Sequence, residues 1–427
     1  MFRRIILLIL PLLSAVALQA QVTLEECVAM ARANYPLIRK YDLLSRTRAV
    51  NLDEISKGWL PRINVYAQGT VQNDTPSFPY TLASLISQTR TQVEGLDEWQ
   101  YKIGADISQD IWDGGQKTAQ RKQEIADKEQ QRASLDVKLY AVRQRVEGLY
   151  FAVLLIEEQA KQTRNMQALL RANLEKMQAM VKRGTAMQAD ADMLEAQLLT
   201  TEQQLTQAIS ASLSYRKVLS LFTGKNIERE EFTKPTATVP QDLTPDRPEI
   251  KHFEAQLRAN SARQAGIKAG TMPRIGLFAQ SWYGYPGLNY FESMMNRNLS
   301  FNILAGVKIS WDINSFFTEK NKISRVKVLA DNIAAERETF LFDTSLQTSS
   351  QLGDIEKIRA MMKNDERIVE LRSRVRQAAE SQLTNGVIDA TELLTKLTDE
   401  NQARLAAAYH EIQLLQAISK LKTTLNR

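Results

Sequence analysis

The chain has 427 residues and a formal net charge of +6, enough for two or three ordinary domains with only a mild basic excess. Its lysines and arginines are interspersed with acids and never reach the density of a nucleic-acid groove, which excludes a nucleic-acid partner. The single cysteine, Cys27, excludes an intrachain disulfide framework, and the only histidines, His252 and His410, lack Cys or acid partners at metal-ligand spacing.

The chain opens with Arg3 and Arg4, an apolar run from Ile5 to Leu13 and then small residues, the three-part pattern of a secretory signal peptide over residues 1–20. Cleavage after Ala17 and cleavage after Ala20 both fit. The apolar run is too short to cross a bilayer, which takes about 20 helical residues. Cys27 lies beyond either cleavage point, so it is not placed as the lipidated first residue of a lipoprotein; a half-buried position on the first helix is expected. Thr23 and Glu26 read as the capping box that starts this helix. Further helix is expected from Pro36 to Lys57.

Residues 62–72 and 100–112 then alternate. Ile63, Val65, Ala67 and Val71 oppose Arg62, Asn64, Tyr66, Gln68 and Thr70; Tyr101, Ile103, Ala105, Ile107 and Ile111 oppose Lys102, Asp106, Ser108 and Asp110. A period of two over about ten residues marks strands with one apolar and one polar face, and in an exported chain that length suits a tilted transmembrane strand. A soluble sheet lying on a core gives the same alternation. Two features favour lipid: the flanking helices are too long to cap a small sheet, and the strands are joined by irregular polar stretches, Asn73 to Trp99 and later Gly284 to Leu299.

From 116 to 182 the only helix breaker is Gly148. Leu135, Leu139, Val142, Val146, Leu149, Val153 and Ile156 alternate spacings of four and three, a coiled-coil seam. A helix of about 67 residues is roughly 100 Å long. Arg183-Gly184-Thr185 ends it, and a return helix is expected over 187–222. A proline-rich connector follows, from Gly224 to Arg247.

The pattern then recurs. The shift that lays Pro36 on Pro248 also lays Gly58 on Gly270, Pro61-Arg62-Ile63 on Pro273-Arg274-Ile275 and Ala67-Gln68 on Ala279-Gln280. A first repeat is therefore expected over 21–240 and a second over 241–427. The second holds a helix at 248–270, strands at 274–284 and 300–312, a long helix to about 384 and a return helix over 389–425. In each repeat the two shorter helices nearly equal the long one, so a helical rod is expected, with strands at one end and the Gly184 and Gly386 turns at the other. Four strands cannot close a barrel, and an open sheet edge is not tolerated in lipid. Several copies must share one barrel, eight strands from two or twelve from three.

These features resemble a TolC-type outer-membrane factor. The resemblance is carried by Thr23-Leu24-Glu25-Glu26-Cys27, Ala31, Asn34-x-Pro36, Arg247-Pro248-Glu249-Ile250, the two Pro-Arg-Ile strand entries, Gly184-x5-Asp190 and Gly386-x5-Glu392-Leu393-Leu394. It implies a mainly α fold with a membrane β-barrel: four strands per chain in a shared 12-stranded barrel of a homotrimer, continuous with a long α-helical coiled-coil tunnel across the periplasm. The implied function is that of an outer-membrane exit duct of a tripartite efflux pump or type I secretion system, not an enzyme and without cofactor or metal. Its implied partners are outer-membrane lipid, a periplasmic adaptor (membrane fusion protein) and an inner-membrane pump.

By position the resemblance assigns Asp190 and Glu392 to the pore constriction, with Thr395 where a second pore acid is expected. It assigns Gly184, Thr185, Gly386 and Val387 to adaptor contact. Leu383, Ile388 and Ala189 replace polar groups that lock neighbouring helices, implying a closed state held by apolar packing. The competing expectation is a periplasmic coiled-coil scaffold or pump adaptor, which heptads alone would equally suit but which leaves four lipid-compatible strands unexplained.

Overall fold

A computed structural model describes residues 21–87, 95–236 and 238–427. The expected signal segment over 1–20, with its cleavage points, lies outside the described residues.

In chain order the elements are β1 (Gln21–Val22), α1 (Leu24–Asn34), a 3-10 turn (Pro36–Arg39), α2 (Lys40–Lys57), β2 (Arg62–Val71), α3 (Tyr80–Ser87), β3 (Trp99–Trp112), α4 (Gln116–Lys182) and α5 (Gln188–Thr223). They continue with β4 (Glu231–Phe232), α6 (Pro248–Ala269), β5 (Arg274–Tyr285), α7 (Tyr290–Met295), β6 (Ser300–Ser310), α8 (Asn314–Thr384) and α9 (Ala390–Leu425). No helix among the described residues is long and apolar enough to cross a membrane.

The chain divides into two compact units, and the division does not follow the sequence repeat. One unit takes the chain up to Lys40, Leu135–Ile250 and Glu338–Arg427; the other takes Tyr41–Ser134 and Lys251–Arg337. Each unit draws on both repeats, because the apolar seams of one copy are buried against those of the other.

In the first unit α1 starts with the Thr23–Glu26 capping box. It packs on α4 through Leu24, Cys27 and Ala31 against Val142, Val146, Tyr150, Phe151 and Val153. Cys27 is fully buried rather than half-buried, and burial pushes its thiol up to about 12, so it stays protonated and inert at neutral pH. The Tyr150 hydroxyl lies 2.7 Å from both the Val22 and Thr233 carbonyls, tying α4 to the short parallel pair β1–β4. Arg216 of α5 holds the connector by donating to the carbonyls of Glu228 and Glu230.

The second unit carries a four-stranded antiparallel sheet in the order β2-β3-β5-β6. Register places Ile63, Ile107, Ala279 and Ala305 side by side on one face, and Tyr66, Gly104, Trp282 and Asn302 on the other. The strands meet the helices through Lys117 of α4, which is paired with Asp110 at 2.9 Å and lies 4.2 Å from the centre of the Trp59 ring.

The two strand connections differ from expectation. Neither is wholly irregular: α3 occupies part of the first and α7 part of the second. The first is also less polar than expected, because Tyr80, Leu82 and Leu85 of α3 are exposed apolar side chains. A single eight-residue helix is too short to show a 3.6-residue period, so local pattern did not reveal it.

Candidate functional site

Two features of the fold invite a function: the paired helix turns at Gly184 and Gly386, and the two faces of the sheet.

At each turn the long helix ends in the same hydrogen-bond motif. Gly184 has φ +74° and its N–H donates to Val181, while the Thr185 N–H donates to Met180 at 3.0 Å. Gly386 has φ +70°, with its N–H to Leu383 and the Val387 N–H to Gln382 at 2.9 Å. Both are Schellman caps, in which the residue after the helix must be left-handed. Nothing lies within 4 Å of where a Cβ would sit on either glycine. Within one chain these glycines are therefore explained by backbone conformation, not by close approach of another element.

Both return helices have an acidic side chain in the cap, at different places: Asp190 is the third residue of α5, whereas Asp389 directly precedes α9. Asp190 accepts the Met187 N–H at 3.1 Å, and Asp389 accepts the Glu392 N–H at 2.8 Å. Glu392 and Thr395 are exposed, and the Thr395 hydroxyl donates back to the Thr391 carbonyl at 2.9 Å. Each turn also exposes one large apolar side chain: Met187 is 75% exposed and Val387 68%. Thr185 is exposed as well.

Beneath the turns Met177, Leu194, Leu383, Ala390, Leu393 and Leu397 form a core shared by α4, α5, α8 and α9, with Ile388 packed against it. The three residues expected to hold a closed state differ in burial. Leu383 is buried in the chain's own core, Ile388 is partly buried against it, and Ala189 is exposed. Sequence spacing identifies an apolar face but not which neighbour covers it.

Sequence reasoning missed a polar cluster below this core. Glu400, 2% exposed, accepts from Arg376 and from Arg404, each at 2.6 Å, while Arg376 also pairs with Glu380 at 2.8 Å. The i, i+4 spacing of Glu400 and Arg404 was the one available signal.

The apolar face of the sheet is uncovered. Val65 is 72% exposed, Ile303 61% and Ile309 69%, and the other apolar residues on this face of β2, β3 and β6 are similarly open. This removes the alternative of a soluble sheet whose apolar face rests on the chain's own core. The opposite face is not uniformly polar. Trp282 stands beside Gly104, where a Cβ would come 2.8 Å from the Trp282 Cβ, and the Phe278 ring lies over Gly306, where a Cβ would come within 3.0 Å of it. Among the described residues neither β2 nor β6 pairs its outer edge, and no group of His, Cys, Asp and Glu could hold a metal ion.

Residues 28–224 match the model of the outer membrane efflux protein family. No curated protein matches in sequence. The fold resembles that of the outer-membrane channel OprN (18% identity, TM-score 0.69, covering 94% of this chain and 89% of that one). It also resembles the outer membrane protein VceC of Vibrio cholerae (12% identity, TM-score 0.69, 94% and 95%) and the CmeC outer membrane channel of Campylobacter jejuni (14% identity, TM-score 0.66, 94% and 85%).

Proposed function

We propose that the chain is an outer membrane efflux protein, a passive conduit of the outer membrane rather than an enzyme, as the family match over residues 28–224 and the shared fold support, and that three copies close one 12-stranded barrel and form the exit duct of a tripartite pump. The observation that carries this reading is the four-stranded sheet with one uncovered apolar face and two unpaired edges. Such a sheet is stable in lipid only when its edges are closed. Closure by copies of the same chain requires no other protein, and twelve strands is an even number within the range of outer-membrane barrels, wider than the roughly eight whose interior side chains fill.

In this duct the polar face of the sheet lines the lumen and the apolar face meets lipid. The turns at Gly184-Thr185 and Gly386-Val387, with exposed Met187 beside them, meet the periplasmic adaptor, through which an inner-membrane pump supplies the energy. Asp190 and Glu392 lie near the narrow end of the path and bias it towards cations. A type I secretion system uses the same architecture; nothing in these residues separates it from small-molecule efflux.

The test is the mass of the mature protein extracted in mild detergent, together with its conductance in planar bilayers. A stable trimer that conducts supports the duct. A monomer or dimer released from membranes by salt alone overturns it and leaves a periplasmic coiled-coil protein.

A further inference from the structure

Lys102 stands on the polar face of β3, opposite Gln68 on one neighbouring strand and Gly284 on the other. Its ammonium lies 5.9 Å from the centre of the Tyr66 ring and 5.8 Å from that of Trp282. Register explains the grouping. Tyr66, Gly104 and Trp282 form the adjacent cross-strand row, and Gly104 lets the Trp282 Cα and Cβ come close where a side chain would collide with them. Gly284 does the same for Lys102, since a Cβ there would come 2.7 Å from the Lys102 Cβ. Two glycines therefore bring a cation and two aromatic rings together on the same patch of wall.

The two carboxylates on this face stand apart from Lys102. Asp110 is neutralised by Lys117 at 2.9 Å and faces Arg62 at 3.9 Å. Asp106 is on the same strand as Lys102 but four residues away, about 13 Å along it. Among the described residues no carboxylate lies within ion-pair distance of Lys102; its only close partners are ring faces. A cation held against aromatic faces retains its attraction for anions, and the rings offer planar apolar surface beside it. All three side chains are half-buried, so each is both supported by the sheet and open on one side.

We propose that Lys102, Tyr66 and Trp282 form a binding subsite on the channel wall for organic anions that carry an aromatic or similarly planar apolar body. The anionic group pairs with the ammonium, and the planar body lies against the rings. The subsite rests on the reading above that the polar face lines a conducting lumen. In a trimer it occurs three times, and each copy is built entirely within one chain.

The experiment is single-channel recording of the wild type in planar bilayers in KCl, with benzoate or acetate added. Benzoate is expected to reduce the conductance at concentrations where acetate does not. Lys102→Gln is expected to raise the half-blocking benzoate concentration roughly fivefold, as the loss of one exposed ion pair implies, and Trp282→Leu by about threefold, as the loss of one ring–ring contact implies. Both variants should be recovered from membranes in mild detergent with the same yield and oligomeric mass as the wild type, which shows that they have folded and inserted, and each blocking concentration is read relative to that variant's own conductance in KCl. A wild type that inserts but never conducts overturns the duct itself. A conducting wild type on which benzoate acts no more strongly than acetate, or a Lys102→Gln channel blocked at the wild-type concentration, overturns the subsite alone.

Discussion

Asp190 and Glu392 occupy the same position, the third residue of their return helices, but they do different work. The Asp190 carboxylate accepts the Met187 N–H at 3.1 Å and so caps its own helix. In the second turn Asp389 provides the cap instead, accepting the Glu392 N–H, and Glu392 is left exposed. Asp190→Asn is therefore expected to lower stability by roughly 0.5–1 kcal/mol, the worth of a weakened cap. Glu392→Gln should stay within about 0.5 kcal/mol of the wild type. If both acids line the pore, both substitutions should weaken block by divalent cations. Thermal melts and single-channel recordings on the same two variants separate the structural role from the electrostatic one.

Two buried carboxylates should respond to pH with opposite sign. Burial alone would raise the pKa of Glu400, but hydrogen bonds and charge from Arg376 and Arg404 outweigh it and hold the carboxyl below its ordinary 4.5. Its contribution is complete above that value and is lost as pH falls through the lowered folded pKa. For Glu147, burial outweighs the hydrogen bonds from Thr423, Ser419 and Arg143, so its pKa is raised. Its contribution is complete below 4.5 and is lost as pH rises through the raised value. Glu400→Gln should cost about 3 kcal/mol at pH 7, because it breaks a buried ion pair, and this cost should shrink in acid. Glu147→Gln should be at least as stable as the wild type at pH 7, with the difference vanishing towards pH 4. Melting temperatures across pH 4–8 for the two variants check the crossing.

The sheet faces should differ in their tolerance of charge. Val65, on the uncovered face, and Gln68, on the other face of the same strand, are three residues apart. Val65→Lys should cost about 2–4 kcal/mol if that face meets the bilayer interior, whereas Gln68→Lys should be tolerated. The folded, membrane-inserted fraction of each variant reads the difference. Equal recovery of both would argue against lipid on the apolar face.

Glycines should separate into strained and crowded positions. Gly184→Ala and Gly386→Ala meet no atom within 4 Å but force a side chain into left-handed φ, at a cost of about 1 kcal/mol each. Gly104→Val must displace the Trp282 side chain and the Ser281 carbonyl, which a Cβ would approach to 2.8 and 2.4 Å. Overpacking of this kind costs about 1–3 kcal/mol. It should also disturb the Trp282 environment, which tryptophan fluorescence detects and which neither turn variant should change.

Much of the fold is legible in the sequence because it is periodic. The seam from Leu135 through Val146 to Val153 repeats at helical spacing, and these residues are buried in α4. Alternation from Ile63 to Val71 and from Phe301 to Ile309 is equally plain, and those residues lie in β2 and β6. Gly184 and Gly386 were readable as turns because a left-handed residue after a long helix favours glycine. By contrast α3 and α7 are too short to establish a period, and Leu383 and Ile388 carry nothing in their spacing to say that their own chain covers them.

The sequence by itself determined the long helices and the four long strands, which strand face is apolar, and where the long helices turn. These properties depend on neighbours within a few residues, and the repeat states them twice. Only the tertiary structure decided the strand order β2-β3-β5-β6, the pairing of Gly104 with Trp282, the burial of Glu400 between Arg376 and Arg404, and the grouping of Lys102 with two rings. Each brings together residues from separate segments whose spacing carries no mark of the contact, because register and helix rotation are set by packing across the whole sheet or bundle.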